Sequence, residues 1–214
     1  MTRLDYGSAP RIAILISGRG SNMNALLEAR EAYGYNVVGV IASRGSAPGI
    51  ALAEAAGVET VVVAGVDHKG DRAGYDEALD TQLRLWGVDI IVLAGFMRIL
   101  SDTFVEQYPW RIVNIHPSLL PAFPGLDPHG QAISAGVKLS GCTVHFVTVG
   151  SVDTGPIIVQ VAVPVLPADD AGTLAARVLA EEHKLFPAVI AGLAKGGYFR
   201  DGPLVHANMV GDRA

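Results

Sequence analysis

The run Arg11-Ile12-Ala13-Ile14-Leu15-Ile16 leads straight into Ser17-Gly18-Arg19-Gly20-Ser21-Asn22, and no other stretch narrows the choice of fold as much. An apolar run without polar alternation is the pattern of a strand whose sheet is covered by helices on both faces. The glycines break the strand, and Ser21 or Asn22 then opens a helical pattern, Met23-Asn24-Ala25-Leu26-Leu27-Glu28-Ala29. Strand, tight turn and helix in that order begin a βαβ unit. The same turn aims backbone N–H groups at a helix N-terminus, where an anion is favoured.

The alternation then repeats. Strands are predicted over 35–42, 60–64, 89–94 and 111–115, and helices over 49–56 and 72–86, with a short helix opening at Ser101-Asp102. Strand and helix alternating in this way imply parallel strands joined by right-handed crossovers. Beyond Pro124 the pattern changes: a short helix over 129–135, then two closely spaced strands over 140–148 and 156–165 that suit an antiparallel hairpin, then a long helix over 173–193. The predicted fold is α/β: a doubly wound, mostly parallel Rossmann-like sheet with a C-terminal antiparallel extension and a long C-terminal helix. A chain of 214 residues suits one domain. Its core is expected over about 11–195, with a phosphate-binding half to about 110 and a catalytic half after it. Residues 1–10 and 196–214 read as tails, the second mobile or edge-forming.

Composition excludes several classes of function. No apolar run approaches the roughly 20 residues that span a bilayer. The start lacks the pattern of a secretory leader, and the single cysteine, Cys142, allows neither an internal disulfide nor a multi-cysteine metal site. The expected location is cytoplasmic. A net charge of −5 without a Lys/Arg cluster argues against nucleic acid as a partner.

Two nucleotide signatures fail at the first turn. Position 23 is Met where a dinucleotide fingerprint needs Gly, and no Gly-Lys-Ser/Thr follows. Ser43 and Arg44 stand where NAD proteins carry an acidic ribose anchor, so the turn suits a small phosphate monoester. The loop Gly95-Phe96-Met97-Arg98-Ile99-Leu100, at the end of a strand, suits either core packing or a flat aromatic ligand with an acidic tail. In Val113-Asn114-Ile115-His116-Pro117-Ser118-Leu119-Leu120-Pro121, the spacing of two puts the amide of Asn114 and the imidazole of His116 on one face. Pro117 holds His116 extended and stops the strand. Asp153, before Thr154-Gly155-Pro156, reads as turn chemistry unless its loop folds towards His116, where a carboxylate would favour imidazolium. His145, among apolar neighbours, reads as a satisfied core histidine. Glu181-Glu182-His183 reads as a solvated face unless one acid reaches the cleft.

The Ser-Gly-x-Gly-Ser-Asn turn, Asn114-x-His116-Pro-Ser-Leu-Leu-Pro, and Asp153 before Gly155-Pro156 together resemble phosphoribosylglycinamide formyltransferases, of the formyltransferase superfamily, over about residues 11–195. The resemblance implies a folate-dependent enzyme of purine synthesis, monomer or homodimer, acting on glycinamide ribonucleotide and 10-formyltetrahydrofolate without a metal. It implies catalysis by Asn114, His116 and Asp153. Gly20, Ser21 and Asn22 would hold the ribotide phosphate and Glu182 its ribose. Met97, Arg98, Ile99, Leu100, Asn114 and Val147 would hold the folate, and Arg72 would meet its glutamate. A cis Leu120–Pro121 bond is implied as well. The chain departs from the pattern at Ala122, Asp127 and Gly130, where many members carry Lys, His and Arg. The residue types fit the chemistry. Asn114 and His116 can donate to the oxyanion formed when an amine attacks a formyl carbon, and Asp153, directly or through water, can accept a proton. Ser118 lacks the setting of a nucleophile. A methionyl-tRNA formyltransferase would add a basic C-terminal domain and a formyltetrahydrofolate deformylase an N-terminal one. Neither domain is expected here. A non-catalytic sensor of a phosphorylated metabolite is the reading from another class, and the complete Asn114, His116 and Asp153 set counts against it.

Overall fold

The computed structural model describes residues 1–207. In chain order its elements are β1 (Thr2–Arg3), β2 (Arg11–Ile16), α1 (Ser21–Tyr33), β3 (Asn36–Ala42), α2 (Gly49–Ala55), β4 (Thr60–Val62), α3 (Arg72–Leu85) and β5 (Ile90–Leu93). They continue with α4 (Asp102–Gln107), β6 (Ile112–His116), α5 (Pro128–Ala135), β7 (Leu139–Phe146), β8 (Ile157–Pro164), α6 (Ala171–Ala194), β9 (Tyr198–Asp201) and β10 (Leu204–Ala207). One sheet has the order β4-β3-β2-β5-β6-β7-β8. Its first five strands are parallel, and β7 and β8 extend it antiparallel. This is the doubly wound sheet with an antiparallel extension expected from the sequence, and α6 is its long C-terminal helix.

The unbroken apolar character of β2 has a direct cause. Ile12, Ile14 and Ile16 face a core shared with Leu26 of α1 and Ile190 and Leu193 of α6. Ala13 and Leu15 face a second core with Leu79 and Leu83 of α3. Each face of the strand is covered, so neither can be polar. Helix boundaries follow side-chain chemistry: Ser101 accepts from the Phe104 amide at the start of α4, and Asp170 with Thr173 forms a reciprocal capping box at the start of α6.

From β2 the chain winds outward through β3 and β4 on one side and through β5 and β6 on the other. The carboxyl ends of β2 and β5 therefore flank the switch point where such sheets hold ligands. Ser17 closes that junction: its N–H donates to the Gly95 carbonyl at 3.1 Å, and its Oγ accepts from Met97 N–H at 2.8 Å.

Segments near both ends of the chain form a second sheet. β1 pairs with β9 and β9 with β10, so residues from both ends make a separate three-stranded antiparallel sheet. Leu4 is buried, and Arg3 Nε donates to the Gly196 carbonyl at 3.1 Å. The pairing of β1 with β9 spans nearly the whole chain and leaves no local sequence signal, which is why residues 1–10 read as a tail, whereas β9 and β10 form a local hairpin at an edge. The expectation for 208–214 lies outside the described residues. Among the described residues no helix is long and apolar enough to cross a membrane.

Candidate active site

Strand register builds the centre of the site. Leu93 of β5 lies opposite Asn114 of β6, and Asn114 lies opposite His145 of β7. Directly opposed residues share a face of the sheet, so Asn114 Nδ2 comes to 3.1 Å from His145 Nε2. His145 Nδ1 donates to the Phe146 carbonyl at 3.0 Å. As a neutral ring it therefore accepts from Asn114 through Nε2. Protonated there, it would instead point a donor at Asp153 Oδ1, 3.6 Å away. His145 is buried and satisfied as expected, but its partner is Asn114, which the sequence pattern did not reveal. The signal was present only as an imidazole on a strand of the right length, with the register unknown.

His116 ends β6 and Pro117 turns the chain away. Thr143, the cross-strand partner of His116, accepts from Leu120 N–H at 3.1 Å and donates to the Ser118 carbonyl at 2.7 Å. Gln160 donates to the Leu120 carbonyl at 2.8 Å and to Thr143 Oγ1 at 2.9 Å, so the loop after His116 is pinned from below. The Leu120–Pro121 bond is cis. Ser118 is fully buried and donates to the Ala122 carbonyl at 2.6 Å, a tie that holds the loop.

Asp153 does fold towards His116. Its Oδ2 lies 3.3 Å from His116 Nδ1 and accepts from Gly125 N–H at 2.9 Å, and its Oδ1 accepts from Asn114 Nδ2 at 3.4 Å. His116 Nε2 donates to the Phe123 carbonyl at 2.9 Å. Both ring nitrogens of His116 thus face oxygen acceptors, which only the doubly protonated ring can serve as donor at each. Asp153 adopts φ 59°, a left-handed conformation that a non-glycine residue takes only when its surroundings hold it there. Burial pushes its carboxyl group up, but the imidazoles of His145 and His116 and the Gly125 amide outweigh burial and hold it below the usual carboxylate range.

The first turn has the shape expected of an anion site. Gly20 has φ 75°, and a Cβ there would lie 2.9 Å from the Gly49 Cα, so the turn is packed backbone on backbone. No side chain caps α1, leaving its first amides open. Asn22 Nδ2 donates to Glu182 Oε2 at 2.9 Å, joining α1 to α6. Glu182 is therefore the acid that reaches α1, buried at 5% exposure, while Glu181 pairs with Lys184. Burial raises its pKa despite the Asn22 amide. The charge on Glu182 thus opposes folding: its stabilising contribution is present below the ordinary carboxylate value and is lost as pH rises through the raised one. Glu182→Gln is expected to raise Tm at pH 7 by about 2–4 °C, measured by differential scanning calorimetry; a lower Tm would contradict the burial penalty.

The loop after β5 divides. Phe96 and Leu100 are buried in core, whereas Met97 and Ile99 are exposed at the rim. Arg98 stacks 4.2 Å over the Tyr75 ring and fills the space beside Gly65, so its guanidinium belongs to the floor of this rim. Arg72, exposed at the start of α3, donates to the Ile99 carbonyl at 3.1 Å. Val147 packs against the same core from the other side. Asp127 and Gly130, two departures from the family pattern, form a matched pair: Asp127 Oδ1 caps α5 by accepting from Gly130 N–H at 3.1 Å, and a Cβ on residue 130 would lie 2.2 Å from Asp127 Oδ2. Ala122 is exposed and accepts the Ser118 bond through its backbone alone.

A family model described as formyl transferase matches residues 10–190. The chain belongs to the formyl transferase family. It is 41% identical over 189 residues to phosphoribosylglycinamide formyltransferase of Escherichia coli, covering 86% of this chain and 87% of that one. It is also 49% and 46% identical to the trifunctional purine biosynthetic protein adenosine-3 of Drosophila melanogaster and of Homo sapiens, covering 87% of this chain in both cases. The chain spans only 14% and 18% of those two proteins. Among solved structures, glycinamide ribonucleotide transformylase 1 from Symbiobacterium toebii superposes with a TM-score of 0.90 at 44% identity, covering 94% of this chain and 95% of that one.

Proposed function

We propose that this formyl transferase moves the formyl group of 10-formyltetrahydrofolate onto the amine of glycinamide ribonucleotide, giving formylglycinamide ribonucleotide and tetrahydrofolate in purine synthesis. The observation that carries the proposal is the convergence of Asn114, His116 and the buried carboxylate of Asp153 at the carboxyl edge of the sheet, with contacts of 3.3 and 3.4 Å. Family membership and the names of the full-length relatives support it.

The ribotide phosphate sits on the open amides of α1 at Gly20, Ser21 and Asn22, and its ribose meets Glu182. The folate lies along Met97, Arg98, Ile99 and Leu100 and against Val147, with Arg72 near its acidic end. Arg98 is already stacked on Tyr75, so its contribution comes through its backbone and the floor it forms. The amine nitrogen attacks the formyl carbon and the carbonyl oxygen becomes an oxyanion. Asn114 donates to it, and His116 donates through Nε2 once that N–H leaves the Phe123 carbonyl. The longest bond around Asn114 is the 3.4 Å contact to Asp153, and it is the one that yields its N–H to the substrate. As the adduct collapses, the attacking nitrogen loses a proton and the departing folate nitrogen gains one. Asp153, held ionised, relays that proton with water while it remains paired with His116.

Release of tetrahydrofolate from 10-formyltetrahydrofolate, followed with and without glycinamide ribonucleotide, tests the proposal. Release only with ribotide is expected. Release without it would identify a deformylase, and no release beside tight ribotide binding would identify a sensor.

A further inference from the structure

We infer that Arg44 is a specificity-determining residue of the first turn, a guanidinium folded back over Gly18 so that its charge recognises the phosphate of the substrate. The inference rests on the ribotide reading of the site above and adds a residue to it.

Arg44 follows β3. In dinucleotide-binding sheets that position meets the adenosine ribose. Here the backbone turns it inward. Ser43 N–H donates to the Ile16 carbonyl at 2.9 Å, and the hydroxyls of Ser43 and Ser17 lie 2.6 Å apart, which clamps the ends of β3 and β2 together. Arg44 Nε donates to the Ser17 carbonyl, and Arg44 Nη2 lies 3.9 Å from where a Cβ on Gly18 would stand. The loop it begins is tied to the same turn at its far end, by Gly49 N–H donating to the Gly18 carbonyl at 3.1 Å and by the Gly20 to Gly49 backbone contact. A Cβ at 18 would meet this guanidinium at ordinary contact distance.

One of the five donors of Arg44 is used. Among the described residues its Nη atoms make no hydrogen bond, and it takes part in none of the ion pairs. Nor does it stack on an aromatic ring: the guanidiniums over ring faces are those of Arg98, Arg111 and Arg200. An exposed arginine needed only to brace a strand end has no use for being held over a glycine beside open helix amides. Anchored by Nε, it offers the planar fork that matches a phosphate oxygen pair. Arg19, in the turn itself, is exposed and in no ion pair among the described residues, so no carboxylate is paired with its guanidinium.

The test compares wild type, Arg44→Ala and Arg44→Lys by calorimetric titration with ribose 5-phosphate, glycinamide ribonucleotide, the unphosphorylated glycinamide riboside and 10-formyltetrahydrofolate, at low and high salt. Arg44→Ala is expected to weaken both phosphorylated ligands about tenfold at low salt and less at high salt, with Lys recovering part of the loss. Riboside and folate affinities should stay within about twofold. Unchanged affinity for the phosphorylated ligands overturns the inference, as does equal weakening of riboside and folate, which would mark a brace for the turn. Formyl transfer by the wild type is measured alongside. Its absence removes the proposed reaction, while ribose 5-phosphate affinity still decides the role of Arg44.

Discussion

Asp153→Asn is expected to lower kcat by about a thousandfold or more while leaving ribotide affinity within about threefold. Asn keeps the shape and removes the charge. In its place an amide would face His116 Nδ1, 3.3 Å from the present Oδ2, and the Gly125 N–H now bonded at 2.9 Å. His116 would lose the carboxylate oxygen beside its Nδ1, and the proposed proton relay would lose its acceptor. In the proposed function ribotide affinity depends on the first turn and Glu182, and Asp153 hydrogen-bonds to neither. Stability should also change in a defined direction. Burial works against the ionised form, but the neighbouring imidazoles and amide prevail, so the carboxyl group is held below its ordinary range. Such a group adds stability above the ordinary carboxylate value, and that stability is lost as pH falls through the depressed one. The variant should therefore melt lower than wild type near pH 7, with the gap closing in acid. Single-turnover kinetics with calorimetric titration of ribotide measure the first effect and melting across pH the second. Normal turnover would remove Asp153 from the mechanism.

His116→Ala should reduce kcat by about a thousandfold. In the proposed mechanism the side chain turns a donor to the reacting carbonyl, and in the free protein the same Nε2–H holds the Phe123 carbonyl at 2.9 Å. The second function is structural, so the kinetic loss must be read against ribotide affinity and melting temperature. The loop remains tied elsewhere, through Thr143, Gln160 and Ser118, and should stay in place. A loss below tenfold with the loop intact would sink the oxyanion role. Loss of ribotide binding to the same extent as kcat would show that the loop, not the imidazole, had been removed.

Glu182→Gln joins the two themes from the other side. The Asn22 contact at 2.9 Å can survive the change, yet the charge that burial opposes is removed. A buried acid retained at a stability penalty marks a group kept for binding, and the variant should bind ribotide more weakly while melting higher.

Much of this was legible along the chain. The unbroken apolar run of β2, the turn at Gly20, the alternation of helix and strand and the stop at Pro117 are local consequences of backbone chemistry and burial, and each element lies within a few residues of its predicted span. The pairing of Asn114 with His116 on one face was equally local, because a strand repeats every two residues. Their meeting with Asp153 rested on a resemblance, since the residues around 153 read by themselves as a turn. What the sequence could not express is which strands lie side by side and in what register. That register, with Asn114 opposite His145 and His116 opposite Thr143, turned an apparent core histidine into part of the candidate site. Tertiary contact likewise chose Glu182 over Glu181, folded Arg44 back onto Ser17, and drew both chain ends into one sheet. The sequence by itself determined what repeats within a few residues: strands, helices, turns and the faces they present. Only the tertiary structure decided which of those faces meet, because that choice is made by packing energy summed over residues far apart in the chain, and no local pattern records it.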